Sequence, residues 1–299
     1  MYFKCKGSGG ATVTIDGVEV EDDLALSTGV MSMSESVSTL PYDFSTSSVV
    51  IYRDEFHILG SANSLTTHYK FNGTTWTSVS TIPYNFYQSG AVVYKDKIHI
   101  LGTNYSSTYY KYYYQFDGTS WTKLTNLPFN FSIGKAVIYQ DEIHALGGAD
   151  GNVTYQTHYK YNGSSWTSVS TIPYAFQQGG AVVLDDEIHI MGSGDSGYRK
   201  FHYKFDGTSW IKLSYLPYEF WIGSAVVFEG KIHIMSGATT TESRNHYQYD
   251  GVSWKEFSRL PYNASQCGAV VHKNEIHIMG STESGYRKSH YKVAKAYLY

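Results

Sequence analysis

Eleven of the chain's twelve histidines recur at two fixed positions of a repeating pattern. One set is His57, His99, His144, His189, His233 and His277; the other is His68, His158, His202, His246 and His290. A ring of six imidazoles has the residue type and number that a metal centre would use, but geometry argues against it. On the second strand of each unit the imidazoles stand about 4.8 Å outside an inner strand that is itself off the axis. Zinc needs its His nitrogens at about 2.0–2.1 Å. They are expected instead as hydrogen-bonded spacers between units. Asn72-Gly73, Asp117-Gly118, Asn162-Gly163, Asp206-Gly207 and Asp250-Gly251 lack the clustered acids of a calcium loop and match tight turns. Cys5 and Cys267 cannot staple a chain of 299 residues and show no zinc spacing. No catalytic residue, metal or cofactor is assigned.

Chemistry of another kind lies where the repeats differ. Tyr198-Arg199-Lys200 and Tyr286-Arg287-Lys288 follow Ser-Gly on alternate units, Tyr105, Tyr109 and Tyr110 cluster, and Arg244 lies in the corresponding segment of another unit. The position four residues after each proline reads Ser45, Tyr87, Ser132, Gln177, Trp221 and Ser265, so Tyr87 and Trp221 stand where other copies are small or polar. Aromatic platforms beside Arg suit stacking on sugar rings and hydrogen bonds to hydroxyls or carboxylates. The candidate ligand-binding residues are therefore Tyr87, Tyr105, Tyr109, Tyr198, Arg199, Trp221, Arg244, Tyr286 and Arg287.

The elements that must position them come from the period. Trp76, Trp121, Trp166, Trp210 and Trp254 step by 45, 45, 44 and 44 residues, and all six prolines keep nearly the same step. Such a period means a solenoid, an array or a propeller. Each unit divides into four short extended segments, as in Ala136–Tyr139, Glu142–Leu146, Thr157–Tyr161 and Ser165–Val169, with no competing helical periodicity. Four antiparallel strands with tight turns describe one propeller blade. Within a blade, the loop between strands two and three shares a face with the link from strand four to the next blade. That loop face carries the differences, and loops on a rigid scaffold are the usual home of binding residues.

The pattern resembles the kelch repeat. The resemblance rests on the apolar first strand, on a second strand ending in glycine (Ile98-His99-Ile100-Leu101-Gly102; Gly147-Gly148 in the third copy), and on the pairs Phe71 and Trp76, Phe116 and Trp121, and Tyr161 and Trp166. It covers roughly residues 32–293. The chain departs from the family in its mostly single glycine and in His where Tyr is usual. The resemblance implies a propeller but not an activity, since kelch propellers serve enzymes, adaptors and lectin-like binders. Loosely, the Ser/Thr/Tyr-rich copies are similar to kelch-like proteins of gut bacteria and their phages, which implies a tail or virion-surface component.

Six first strands begin near Ser48, Gly90, Lys135, Gly180, Ser224 and Gly268, but five tryptophan-bearing fourth strands follow them. The missing strand lies at the front, where Glu35–Pro41 aligns with Thr77–Pro83. The expectation is an all-β, six-bladed kelch-type β-propeller (29–299) closed by an N-terminal outer strand, which leaves no free sheet edge at the seam. Residues 1–28 form an arm, with a Gly/Ser linker and a hairpin turning at Asp16-Gly17. A lone hairpin is marginal in water, so the arm is read as an attachment to an assembly partner.

Charge is nearly balanced, with 23 basic and 26 acidic residues, which excludes an electrostatic case for nucleic acid or an anionic membrane. No segment reads as a signal peptide or a membrane span. The leading expectation is a non-enzymatic recognition propeller that binds a cell-surface glycan or protein, in a virion or extracellular setting. One alternative is a structural part of a particle. Another is a carbohydrate-active enzyme of the sialic acid mutarotase type, which needs acid/base groups in the axial funnel, where the first strands offer Ser, Gly, Ala and Lys135. A copper radical oxidase would need Cys267 paired with a Tyr and His ligands, and the ring histidines are misplaced for that.

Overall fold

The computed structural model describes residues 13–15, 18–20, 30–45, 48–103, 110–150, 153–237 and 244–297. A short hairpin, β1 (Val13–Ile15) with β2 (Val18–Val20), precedes the long strand β3 (Val30–Thr39). Together with β3, the remaining described strands form six four-stranded antiparallel sheets. Blade 1 is β4 (Ser48–Tyr52), β5 (Glu55–Leu59), β6 (His68–Phe71) and β7 (Trp76–Ser78). Blade 2 is β8 (Gly90–Tyr94), β9 (Lys97–Leu101), β10 (Tyr113–Phe116) and β11 (Trp121–Lys123). Blade 3 is β12 (Lys135–Tyr139), β13 (Glu142–Leu146), β14 (His158–Tyr161) and β15 (Trp166–Ser168). Blade 4 is β16 (Gly180–Leu184), β17 (Glu187–Met191), β18 (His202–Phe205) and β19 (Trp210–Lys212). Blade 5 is β20 (Ser224–Phe228), β21 (Lys231–Met235), β22 (Asn245–Tyr249) and β23 (Trp254–Arg259).

Blade 6 takes β24 (Gly268–His272), β25 (Glu275–Met279) and β26 (Ser289–Tyr297) from the C-terminal part and β3 as its outer strand. β3 pairs with β26 over nine positions, from Thr39 opposite Ser289 to Val30 opposite Tyr297, with Val37 as the bulged residue. The fourth strands of blades 1 to 4 pair over only three positions. First strands touch in the order β4, β8, β12, β16, β20, β24 and back to β4, so the disc is closed.

Burial follows strand position. In β9 and its equivalents four of five residues are buried, because the second strand is sandwiched between neighbouring blades. The fourth strands are exposed beyond their half-buried Trp. Each inter-blade core adds an anchor from the connecting link. Phe44, Phe86, Phe131, Phe176 and Phe220 are fully buried three residues after their prolines, with Ala264 in the sixth link. Removing one such ring should cost about 3–5 kcal/mol.

The first two strands of every blade are joined by two residues with positive φ, such as Arg53 (51°) and Asp54 (62°). This is the type I′ turn that matches strand twist. Their side chains pair between blades across that face: Arg53 with Asp96 at 2.6 Å, Lys95 with Asp141 at 3.5 Å, Gln140 with Asp186 at 3.2 Å and Lys273 with Asp54 at 3.1 Å. The outer turns hold Asx geometry, as where Asn162 Oδ1 accepts from the N–H groups of Ser164 (2.9 Å) and Ser165 (3.0 Å).

On the loop face each link is sewn to the preceding loop, as where Ile82 N–H donates to Thr66 O and Phe86 N–H to Leu65 O, both at 2.9 Å. Gly192 makes that approach workable in blade 4, since a Cβ there would stand 1.9 Å from Phe220 O. Blade 5 has Ser236 at the equivalent place, held at φ 69°.

Candidate functional site

The histidines form buried pairs within blades. His57 Nδ1 meets His68 Nε2 at 2.7 Å, and the same contact joins His144 to His158 (2.7 Å), His189 to His202 (3.0 Å), His233 to His246 (2.9 Å) and His277 to His290 (2.9 Å). In blade 2 the partner is the Tyr113 hydroxyl, 2.7 Å from His99 Nδ1. The spacer role therefore takes the form of a pair inside one blade whose outer ring packs on the next, as His68 does against Phe116 (4.9 Å) and Trp121 (5.5 Å). Burial holds His57, His99, His144, His189, His233 and His277 down to about 4, and His68, His158, His202 and His290 to about 3. Among the described residues no three His, Cys, Asp or Glu side chains assemble as a metal-holding group.

Of the candidate loop-face residues, Tyr105 and Tyr109 lie outside the described residues. The Tyr198 ring is 5.4 Å from Tyr174, and Tyr286 stacks on Tyr262 at 4.9 Å, so both pack on the inter-blade core. Arg199 lies 3.9 Å over the Trp221 ring while its Nη1 meets Glu219 at 3.1 Å. Arg287 makes the corresponding contact with Asp43 at 3.6 Å. The structure thus joins Arg199 to Trp221 and leaves the Arg287 pair on a different blade. Arg244 is exposed, with Nε donating to Leu260 O at 2.9 Å. Tyr87 is half-buried on blade 2, diametrically opposite Trp221 on blade 5.

Tyr87 and Trp221 immediately precede Gln88 and Ile222, which line the mouth of the axial channel on this face. Gln88, Ile133, Gln178, Ile222 and Gln266 rim it, with φ between 49° and 59°. Such backbone costs about 1–3 kcal/mol at a non-glycine residue and is held here by a belt of main-chain bonds. Ile133 N–H donates to Gln88 O (2.8 Å), Gln178 N–H to Ile133 O (2.8 Å), Ile222 N–H to Gln178 O (2.7 Å) and Gln266 N–H to Ile222 O (3.2 Å). The sixth position, Thr46, lies outside the described residues. Sequence reasoning missed this rim. Its signal is a period of two units: Gln88, Gln178 and Gln266 are spaced by 90 and 88 residues, with Ile133 and Ile222 between them.

Below the rim the first strands contribute Ser48, Gly90, Lys135, Gly180, Ser224 and Gly268 to a cavity of about 170 Å³. Ser48 Oγ donates to Ser89 O at 2.8 Å and Ser224 Oγ to Cys267 O at 2.7 Å. Lys135 occupies the third position of that alternating set and is the one charged side chain among the described lining residues. No described carboxylate lies within ion-pair distance of it. Burial lowers the Lys135 ammonium from the ordinary lysine value, partly opposed by the neighbouring Cys267. The Cys267 thiol is itself pushed up to about 11 by burial, so it is neutral at physiological pH. Toward the opposite face the channel turns apolar, lined by residues such as Val137, Val182, Val226 and Val270. The polar end is thus the loop-face end.

No protein-family model matches the chain, and no curated protein matches it. Among solved structures the chain is similar to the one titled "Structure of YjhT", with a TM-score of 0.75 over 86% of this chain and 95% of that one. At 14% identity the likeness concerns the fold.

Proposed function

We propose that this chain is a recognition propeller that binds a glycan or protein ligand through its loop face, around the mouth of the axial channel. One observation carries the reading. Six units that share core and inner turns, five of them with a His pair, differ at the link positions beside the rim, where Tyr87 and Trp221 immediately precede the mouth-lining Gln88 and Ile222 on opposite blades. The opposite face, by contrast, closes its charges into pairs between turns. An aromatic pair flanking amide and hydroxyl groups suits sugar faces and hydroxyls. The ligand is read as a cell-surface component, with the segment before Val30 as the attachment to a particle such as a virion.

The experiment is binding of the full chain to arrayed glycans and host-surface material, with Trp221→Ala and Tyr87→Ala beside it. Both variants should fold and lose binding by about tenfold, a loss of about 1.4 kcal/mol. Absence of binding to any surface material, or undiminished binding by both variants, refutes the reading. An enzymatic reading draws on Lys135 alone, since no His or carboxylate is among the described residues that line the channel. Turnover of a bound sugar that disappears in Lys135→Met would favour it.

A further inference from the structure

We infer that the axial channel is a carboxylate site, in which Lys135 takes the acid group of a ligand entering from the loop face. The inference rests on the loop-face reading for the direction of entry and adds the chemical class of the ligand. Three of the six first-strand positions around the cavity are glycines, where a Cβ would crowd the next blade (Gly180 against Ala225 Cβ at 2.9 Å), so Lys135 is the one long side chain among the six. Two others are serines whose hydroxyls already donate to neighbouring carbonyls. Among the described lining residues Lys135 is therefore the one cation, set in a cavity otherwise lined by Ser, Gly, Ala, Val and Cys, with a neutral thiol beside it.

Lys135 is half-buried, and an ammonium drawn out of water is costly until an opposite charge and hydrogen bonds satisfy it. A carboxylate brings one negative charge and two acceptors, which neutralises the site. A phosphate dianion would leave it charged by one in the same desolvated place. Gln178 and Gln266 are among the residues lining the mouth above Lys135, and amide groups of this kind can pair with hydroxyls. Toward the other face the lining is Ile, Val and Ala and offers no side-chain partner to a polar group.

The test is calorimetric titration of the full chain with glucuronate, methyl glucoside and acetate, for the native sequence, Lys135→Met and Lys135→Arg. Glucuronate and acetate should bind and the neutral glucoside should be weaker. Lys135→Met should lose about ten- to hundredfold, the weight of a charge-assisted hydrogen bond, and Lys135→Arg should keep part of it. After reductive ¹³C-methylation, the resonance assigned through Lys135→Met should titrate below the other lysines and move up when glucuronate is added. Equal binding by Lys135→Met, or no binding of either carboxylate, overturns the inference. If arrayed glycans bind the native chain and Lys135→Met equally, the loop-face reading stands and the channel inference falls. Carboxylate binding that depends on Lys135, without any recognition of surface material, upholds the channel inference and refutes the loop-face reading.

Discussion

Lowering the pH should unfold this propeller well before its carboxylates begin to protonate. Eleven histidines are held neutral in the blades chiefly by burial, six of them at about 4, four at about 3 and His246 well below the ordinary value. Flanking charges oppose each other, since Glu55 raises and Lys70 lowers His57. Within a pair one ring donates and the other accepts, so charging both would set N–H against N–H. In the unfolded chain each imidazole titrates near 6.5. As pH falls through that value the unfolded state takes up protons and the native state does not, so stability present above about pH 7 is lost. Each group then costs about 0.8 kcal/mol at pH 6, and the set about 9 kcal/mol, against a typical total of about 5–15 kcal/mol. A cooperative transition should centre between about pH 5 and 6.5. Urea melts followed by tryptophan fluorescence at stepped pH would measure it. The chain carries its own control, because blade 2 replaces the second imidazole with the Tyr113 hydroxyl. His158→Tyr should copy that arrangement and flatten the pH dependence by about one proton. A change of less than about 2 kcal/mol between pH 7.5 and pH 5.5 would refute the reasoning.

Two further outcomes follow from backbone and closure. Ser236→Gly should stabilise the chain by about 1 kcal/mol, or about 2 °C in thermal midpoint, because it relieves a left-handed serine whose buried hydroxyl has no partner among the described residues. Deleting residues 1–39 should expose the β26 edge and give oligomers or aggregates on size-exclusion chromatography, whereas deleting 1–28 should leave the propeller folded. A monomeric 40–299 fragment with an unchanged melting point would contradict the closure.

The architecture was legible because it is written many times over. Each first strand starts at the residue that the repeat indicates, Ser48, Gly90, Lys135, Gly180, Ser224 and Gly268, and the seam between β3 and β26 follows from counting strands. Aligning the six copies also shows Lys135 to be the odd member of its ring. It cannot show that the ring mates leave that side chain alone, because that depends on how far six strands stand from their axis. Tyr198 and Tyr286 illustrate the same limit. Their type suggests a platform, but whether an aromatic faces solvent or lies on Tyr174 or Tyr262 is set by tertiary packing. The rim glutamines do not stand out at one-unit spacing, and nothing local announces that Ile133 and Ile222 take left-handed backbone.

The nine-position ladder between β3 and β26 has a mechanical meaning. β3 runs from Val30 on the face away from the rim to Thr39 beside it, so the chain before Val30 departs opposite the side where a ligand would sit. Tension between a gripped ligand and that tether would run along the strand axis. The rungs would then share the load in shear rather than open one after another, so the molecule would hold under pull where a shorter closing strand would peel.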